Sequence, residues 1–254
     1  MYKRDAPRGS SPRYGLIDAI RGFAIVNMIV YHLLYDLFCY YSLGKGFDTQ
    51  LPTVIWERCI CFAFIITAGV SINFSRHGYR RGLIVLFGAV LISALTLIFV
   101  PSEMIWFGIL HFLGCAILIT FALQKVLEKI HPLPGAGISL FLFALLYGLP
   151  NGYIGFFGAK IAVLPAALYS NTYLAFLGLP SKGFFSADYF PMLPWIFLFF
   201  FGYFLWRVIV LKGWDGFFMK KIPVLDFIGR QSFLIYLLHQ PVLFGILYLI
   251  FGHF

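Results

Sequence analysis

The feature that most constrains this chain is a succession of apolar runs, separated by short polar or turn-rich segments. A helix needs about 20 predominantly apolar residues to cross a bilayer. Runs near that length lie at residues 16–40, 53–74, 82–100, 104–123, 136–150, 192–211 and 231–252. The breaks include Leu43-Gly44-Lys45-Gly46, Arg76-His77-Gly78-Tyr79-Arg80-Arg81, Pro101-Ser102-Glu103 and His131-Pro132-Leu133-Pro134. Of 254 residues, 61% are hydrophobic and only 11% are charged, where a soluble domain carries about 25%. A water-soluble protein of this size has no core large enough to hide that apolar surface. The expected fold is therefore all-α: a polytopic integral membrane helical bundle of about seven transmembrane helices. The first run is long and lacks a small-residue cleavage site, so it is expected to stay as a helix and not to be removed as a signal peptide.

Charge placement orients the bundle. Thirteen of nineteen Lys and Arg residues fall in alternate connections. These are Lys3, Arg4, Arg8 and Arg13; Arg76, Arg80 and Arg81; Lys125 and Lys129; and Lys212, Lys220, Lys221 and Arg230. The opposite connections hold Lys45, Lys160 and Lys182. Cytoplasmic loops carry the excess of positive charge, so residues 1–14 read as a cytoplasmic tail and 15–254 as a single transmembrane domain. Residues 161–179 are apolar enough to cross but contain Pro165, Asn171 and Thr172. A crossing there would make eight helices and carry the Lys212 to Arg230 segment to the outer side, against the charge rule. Residues 151–191 are thus expected to form an external lid or re-entrant element. The net charge of +9 follows from these loops, and no separate basic domain exists to bind nucleic acid. Cys39, Cys59, Cys61 and Cys115 sit in or beside apolar runs without a CxxC spacing and read as small buried hydrophobes, with a Cys39–Cys59 disulfide left open.

An ionisable group inside a span costs about 2.5–3.5 kcal/mol on insertion scales, so each needs a reason. The first helix holds Asp18, Arg21, His32 and Asp36. Eleven residues at about 100° each bring Arg21 and His32 to within about 20° of one another, about 16 Å apart along the axis. Asp18 lies one turn before Arg21 on that face and Asp36 one turn after His32. Such a stripe must face the bundle interior or a watery cavity. A His in a low-dielectric site can act as general base near neutral pH. An Arg nearer the cytoplasm can hold a phosphate or polarise a carbonyl, and Asp18 can orient Arg21 as its i, i+3 neighbour. The same residues could instead snorkel to the interface or bond a neighbouring carbonyl.

His111 and His239 lie in the fourth and last spans, as site groups or as bonded interhelical histidines. Glu57 and Arg58 open the second span as an interfacial pair or the lining of an acceptor entrance. Asp188 precedes the sixth span, where an Asp is first a helix cap and could also meet a polar acceptor. No ligand cluster has metal spacing. A polar stripe also suits a transporter or flippase, although no inverted repeat or paired broken helices are present.

Arg13 with Ile17-Asp18-Ala19-Ile20-Arg21-Gly22-Phe23-Ala24, followed by His32, resembles the opening of the transmembrane acyltransferase superfamily. Its Arg-x10-His spacing is similar to the hallmark of the acyltransferase-3 proteins. Three later segments resemble bacterial relatives of the heparan-alpha-glucosaminide N-acetyltransferase catalytic family. They are Trp106-Phe107-Gly108-Ile109-Leu110-His111, residues 187–195 from Ala187-Asp188 to Pro194-Trp195, and residues 228–241 from Ile228-Gly229-Arg230 to His239-Gln240-Pro241. The resemblance runs from about residue 13 to 241.

It implies an acyl-CoA donor, acetyl-CoA first among them, entering from the cytoplasm. It implies a carbohydrate hydroxyl or amine as acceptor, and a bacterial plasma membrane as the setting. His32 would be the base or acyl carrier, with Arg21 and Asp18 as its motif partners. Arg76, Arg80, Arg81, Lys125 and Arg230 would meet the donor phosphates, or serve only as positive-inside loop charge. Asp36, Arg58, His111, Asp188 and His239 are candidates on the acceptor side. Animal members carry Asn where His32 stands and a key His in the following loop, and residues 42–51 here hold no His. The oligomeric state stays open, a homo-oligomer included.

Overall fold

The computed structural model describes residues 13–41, 43, 46–156 and 158–252. The tail charges Lys3, Arg4 and Arg8, and the loop residue Lys45, lie outside the described residues. Nine α-helices are described. They are α1 (Gly15–Tyr35), α2 (Leu51–Ile72), α3 (Gly78–Phe99), α4 (Ile109–Ala122), the single turn α5 (Gln124–Leu127), α6 (Pro132–Leu146), α7 (Met192–Leu211), α8 (Pro223–Arg230) and α9 (Ser232–Phe251). Between α6 and α7 lies an antiparallel hairpin of β1 (Tyr153–Phe156) and β2 (Ala159–Val163).

Six helices are long and apolar enough to cross a membrane: Gly15–Tyr40, Leu51–Ile72, Gly78–Phe99, Pro132–Asn151, Met192–Leu211 and Ser232–Phe251. With the shorter apolar α4 they make the polytopic all-α bundle that hydropathy predicts. The long spans keep their boundaries to within four residues, and two features differ further. The fourth apolar run begins at residue 104, but α4 begins only at Ile109. Its 14 residues span about 21 Å at 1.5 Å per residue, less than the hydrocarbon core of about 30 Å. The cause is local. Phe107 adopts φ 55°, a left-handed conformation rare for a bulky residue, and Gly108 is extended. The first span differs in winding: beyond Tyr35 it continues to Tyr40 as a π-helix starting at Asp36.

The chain divides into two compact units. One comprises Met1–Ile60 and Ile209–Phe254, the other Cys61–Val208. In the first, α8 packs along α1 through two glycines. A side chain on Gly22 would overlap the backbone of Leu225, and one on Gly229 would overlap the carbonyl of Asp18. Small residues let helix backbones approach closely where apolar burial cannot drive association between helices. Asn27 on α1 accepts from the Trp56 indole N–H of α2 at 3.0 Å.

The second unit uses the same device. Gly69 on α2 lies against the Phe199 backbone of α7, and Gly202 lies against Ile66. Helices α3 and α4 run antiparallel, with Gly78 beside Phe121, Gly82 beside Leu118 and Gly114 beside Leu86. Arg207 of α7 closes the end of the α4–α5 segment, donating to the carbonyls of Leu127, Ile130 and Glu128 at 2.8–3.1 Å. The Leu127 carbonyl also accepts from the Ile130 N–H at 3.2 Å, and the guanidinium adds donors that a helix end lacks. After the hairpin the chain continues as 3-10 turns Ala166–Tyr169 and Thr172–Leu177, and residues 161–179 contain no helix of membrane-spanning length. None of the four cysteines is in a disulfide among the described residues.

Candidate functional site

The polar stripe of α1 faces α8 and α9. At its start Asp18 sits between two arginines. Arg21 Nη1 donates to Asp18 Oδ1 at 2.9 Å, and Arg13 Nε stands 3.4 Å from Oδ2. Asp18 and Arg21 are mostly buried, whereas Arg13 is exposed. A half-buried, one-turn ion pair holds the guanidinium in a definite direction more firmly than an exposed pair would.

Further along the same face, the His32 ring lies 4.9 Å from the His239 ring of α9, inclined at 54°. His239 Nδ1 is 2.6 Å from the Tyr236 carbonyl oxygen. A carbonyl can only accept, so Nδ1 carries the proton and Nε2 keeps its lone pair. That Nε2 is buried and has no hydrogen-bond partner among the described residues. One turn beyond His32, Asp36 is 1% exposed and Gln240 Nε2 approaches its Oδ1 at 3.4 Å. Gln240 Oε1 is buried and unpartnered among the described residues. The π-helical winding begins at Asp36; π-turns occur frequently at functional sites. Tyr31 packs edge-on to both His32 and Trp56. Asp18, Arg21, His32, Asp36 and His239 thus lie along one helix–helix seam of the first unit, as does Gln240, which sequence reasoning did not single out.

Asp226 was also missed. It lies on α8, is 8% exposed, and its Oδ1 has no partner among the described residues. Its carboxylate stands beside Gly15 at the start of α1, where the helix dipole favours negative charge. The signal was present as an acid three residues before Gly229 on a short amphipathic helix. Arg58, in the same unit, stands 3.6 Å from Glu57.

In the second unit Asp188 precedes α7 in sequence and reaches α4 in space. Its Oδ2 accepts from the Ile109 N–H at 2.9 Å and so caps α4. The segments before α4 and α7 are paired: Ala187 N–H donates to the Met104 carbonyl, Phe190 N–H to that of Phe107, and Trp106 N–H to Ser186 Oγ. Helix α3 clamps the same strand-like piece. Ser93 donates to the Ile105 carbonyl at 2.6 Å, and Ile105 N–H donates to Thr96 Oγ1 at 3.2 Å. His111 Nε2 stands 3.5 Å from Ser93 Oγ. Ser93 spends its proton on Ile105, so a bond there needs the proton on Nε2. The Tyr189 hydroxyl donates to the Ala175 carbonyl, and burial raises its pKa, keeping it a neutral donor.

Arg76, Arg80 and Arg81 precede or open α3, and Lys125 lies in α5, just after α4. The antiparallel α3–α4 packing brings these four exposed cations to one end of that pair. Arg230 ends α8 in the first unit, over the Phe227 ring. Among the described residues no group of three or more His, Cys, Asp or Glu could hold a metal ion.

The model of one protein family, described as "Heparan-alpha-glucosaminide N-acetyltransferase, catalytic", matches residues 13–241. No curated protein and no solved structure matches the chain.

Proposed function

Because the chain belongs to the heparan-alpha-glucosaminide N-acetyltransferase catalytic family, we propose that it is a membrane acetyltransferase that moves an acyl group from acyl-CoA to a hydroxyl or amine of a carbohydrate. The observation that carries this reading is the layout of the α1 seam: an oriented guanidinium at Asp18–Arg21 and an imidazole pair at His32–His239 on one helix face. About 16 Å separates Arg21 from His32 along the axis. A donor with a charged head and a long thioester arm has the shape to engage both.

In this mechanism Arg21, held by Asp18, binds the donor's charged portion or polarises its carbonyl. His32 removes the proton from the acceptor O–H or N–H as that atom attacks the acyl carbon. The C–S bond breaks as the C–O or C–N bond forms, and the thiolate leaves as CoA, taking the proton back from the imidazole pair. The lone pair on His239 Nε2 lets the two rings share that proton. Asp36 and Arg58 serve the acceptor side, and Arg230 of the same unit pairs with a donor phosphate. The start of α1 faces the cytoplasm of a bacterial cell, and the connection between α6 and α7 forms an external lid.

The test is radiolabelled acetyl-CoA with purified protein in nanodiscs, wild type beside His32→Ala. Saturable binding with release of free CoA that disappears in the variant is the expected result. A well-folded sample that binds neither acetyl-CoA nor longer acyl-CoAs would remove the CoA donor and shift the weight to transport.

A further inference from the structure

The connection between α7 and α9 carries a feature that the acyl-transfer reading does not use. Both neighbours are helices of membrane-spanning length, ending at Leu211 and starting at Ser232. No span intervenes, so both ends of residues 212–231 lie at the same membrane face. The segment is amphipathic. On α8, Asp226 and Gly229 are buried, with Gly229 against α1. Val224 and Phe227, also three apart, point away and are 71% and 58% exposed. Trp214 and Phe217 add 62% and 56% exposed aromatic surface. Together with Gly213 and Phe218 they line an open cleft of about 470 Å³. Around this apolar surface stand the exposed Lys212, Lys220 and Lys221, and Lys220 Nζ lies 4.6 Å from the Phe217 ring centre.

We infer that residues 212–227 lie in the headgroup plane and bind an anionic phospholipid, with the phosphate among Lys212, Lys220 and Lys221 and the glycerol and upper chain against Trp214 and Phe217. Two observations choose this occupant. Exposed Trp and Phe with an outward apolar helix face match the interfacial region of a bilayer. The lysines supply the charge complement, since cations beside a membrane surface favour anionic lipids. The segment packs directly on the start of α1 through Gly229 and Asp18, so lipid engagement is transmitted to the helix that carries Arg21. The proposal does not depend on the acyltransferase reading.

The experiment measures lipid contact alone. Protein is placed in bilayers containing brominated phosphatidylglycerol or brominated phosphatidylcholine at equal mole fraction. The Trp214 contribution to quenching is taken as the difference between wild type and Trp214→Phe. The expected result is a preference of at least about fivefold for the anionic lipid. Substituting Lys212, Lys220 and Lys221 together by Gln should bring the ratio to about one. High salt should weaken the preference in the unmodified protein by screening, a check that needs no refolded variant. Equal quenching by the two lipids would overturn the proposal, as would a preference unchanged by both the substitutions and salt. Saturable loss of the preference with micromolar adenosine 3′,5′-bisphosphate at constant ionic strength would also overturn it, assigning the lysines to a soluble nucleotide instead.

Discussion

The seam of α1 with α8 and α9, and the clamped loop before α4, each bring two distant sequence motifs together, but by opposite chemistry. In the seam the backbones touch through Gly22 and Gly229, while polar atoms are left over: His239 Nε2 and Gln240 Oε1 are buried without partners among the described residues. At the loop, Ser93, Thr96, Ser186 and Asp188 each bond a backbone group. A buried polar atom left unbonded costs about 1–3 kcal/mol, and that cost is sustained where the atom has another task. The difference teaches that the loop meets its polar groups locally, while the seam keeps buried polar atoms available, as the proposed chemistry requires.

The comparison breaks most visibly at the histidines. His32→Ala and His239→Ala are each expected to reduce acyl-CoA turnover roughly 10²–10⁴-fold, the range for loss of a general base, while thermal unfolding in detergent shifts little. Full turnover in His239→Ala would return that ring to a packing role. Next in size is Gly229→Ala. The added methyl must push α8 away from the Asp18 carbonyl, at a cost of about 1–3 kcal/mol for overpacking, read as a lower Tm and poorer expression. A Tm equal to wild type would mean that α8 moves freely on α1.

At the clamped loop the expected effects are smaller and fall on stability. Asp188→Ala removes the cap of α4 and should cost about 1–2 kcal/mol, measured as a drop in Tm with donor binding retained; Asp188→Asn should recover most of it. If Asp188→Ala instead abolished turnover at unchanged Tm, the loop would belong with the seam. The smallest effect expected is from Ser93→Ala. Losing one bond to Ile105 should cost about 1 kcal/mol, with faster hydrogen exchange at residues 104–108 as the local readout.

Much of the site was legible because a helix is periodic. Asp18, Arg21, His32 and Asp36 could be placed on one face from spacing alone, and the Asp18–Arg21 contact follows from i, i+3 geometry. Asp188 shows the limit. Its position suggested a cap on the helix next in sequence, but its carboxylate reaches an N–H seventy-nine residues away, which no local rule encodes. The late start of α4 was hidden for the same reason: residues 104–108 are apolar enough for helix, and their non-helical form is held by Ser93, Thr96 and the segment at 186–190.

The sequence by itself determined the membrane architecture, because a bilayer demands apolar length and penalises charge in ways that can be counted along the chain. It also determined the polar face of α1, through the pitch of the helix. Only the tertiary structure decided what that face meets. The pairing of His32 with His239 depends on α9 lying beside α1, and the buried carboxylate of Asp226 on α8 lying against α1, where Gly22 and Gly229 let the backbones touch. Contacts of that kind are set by shape across the fold and leave no period in the chain.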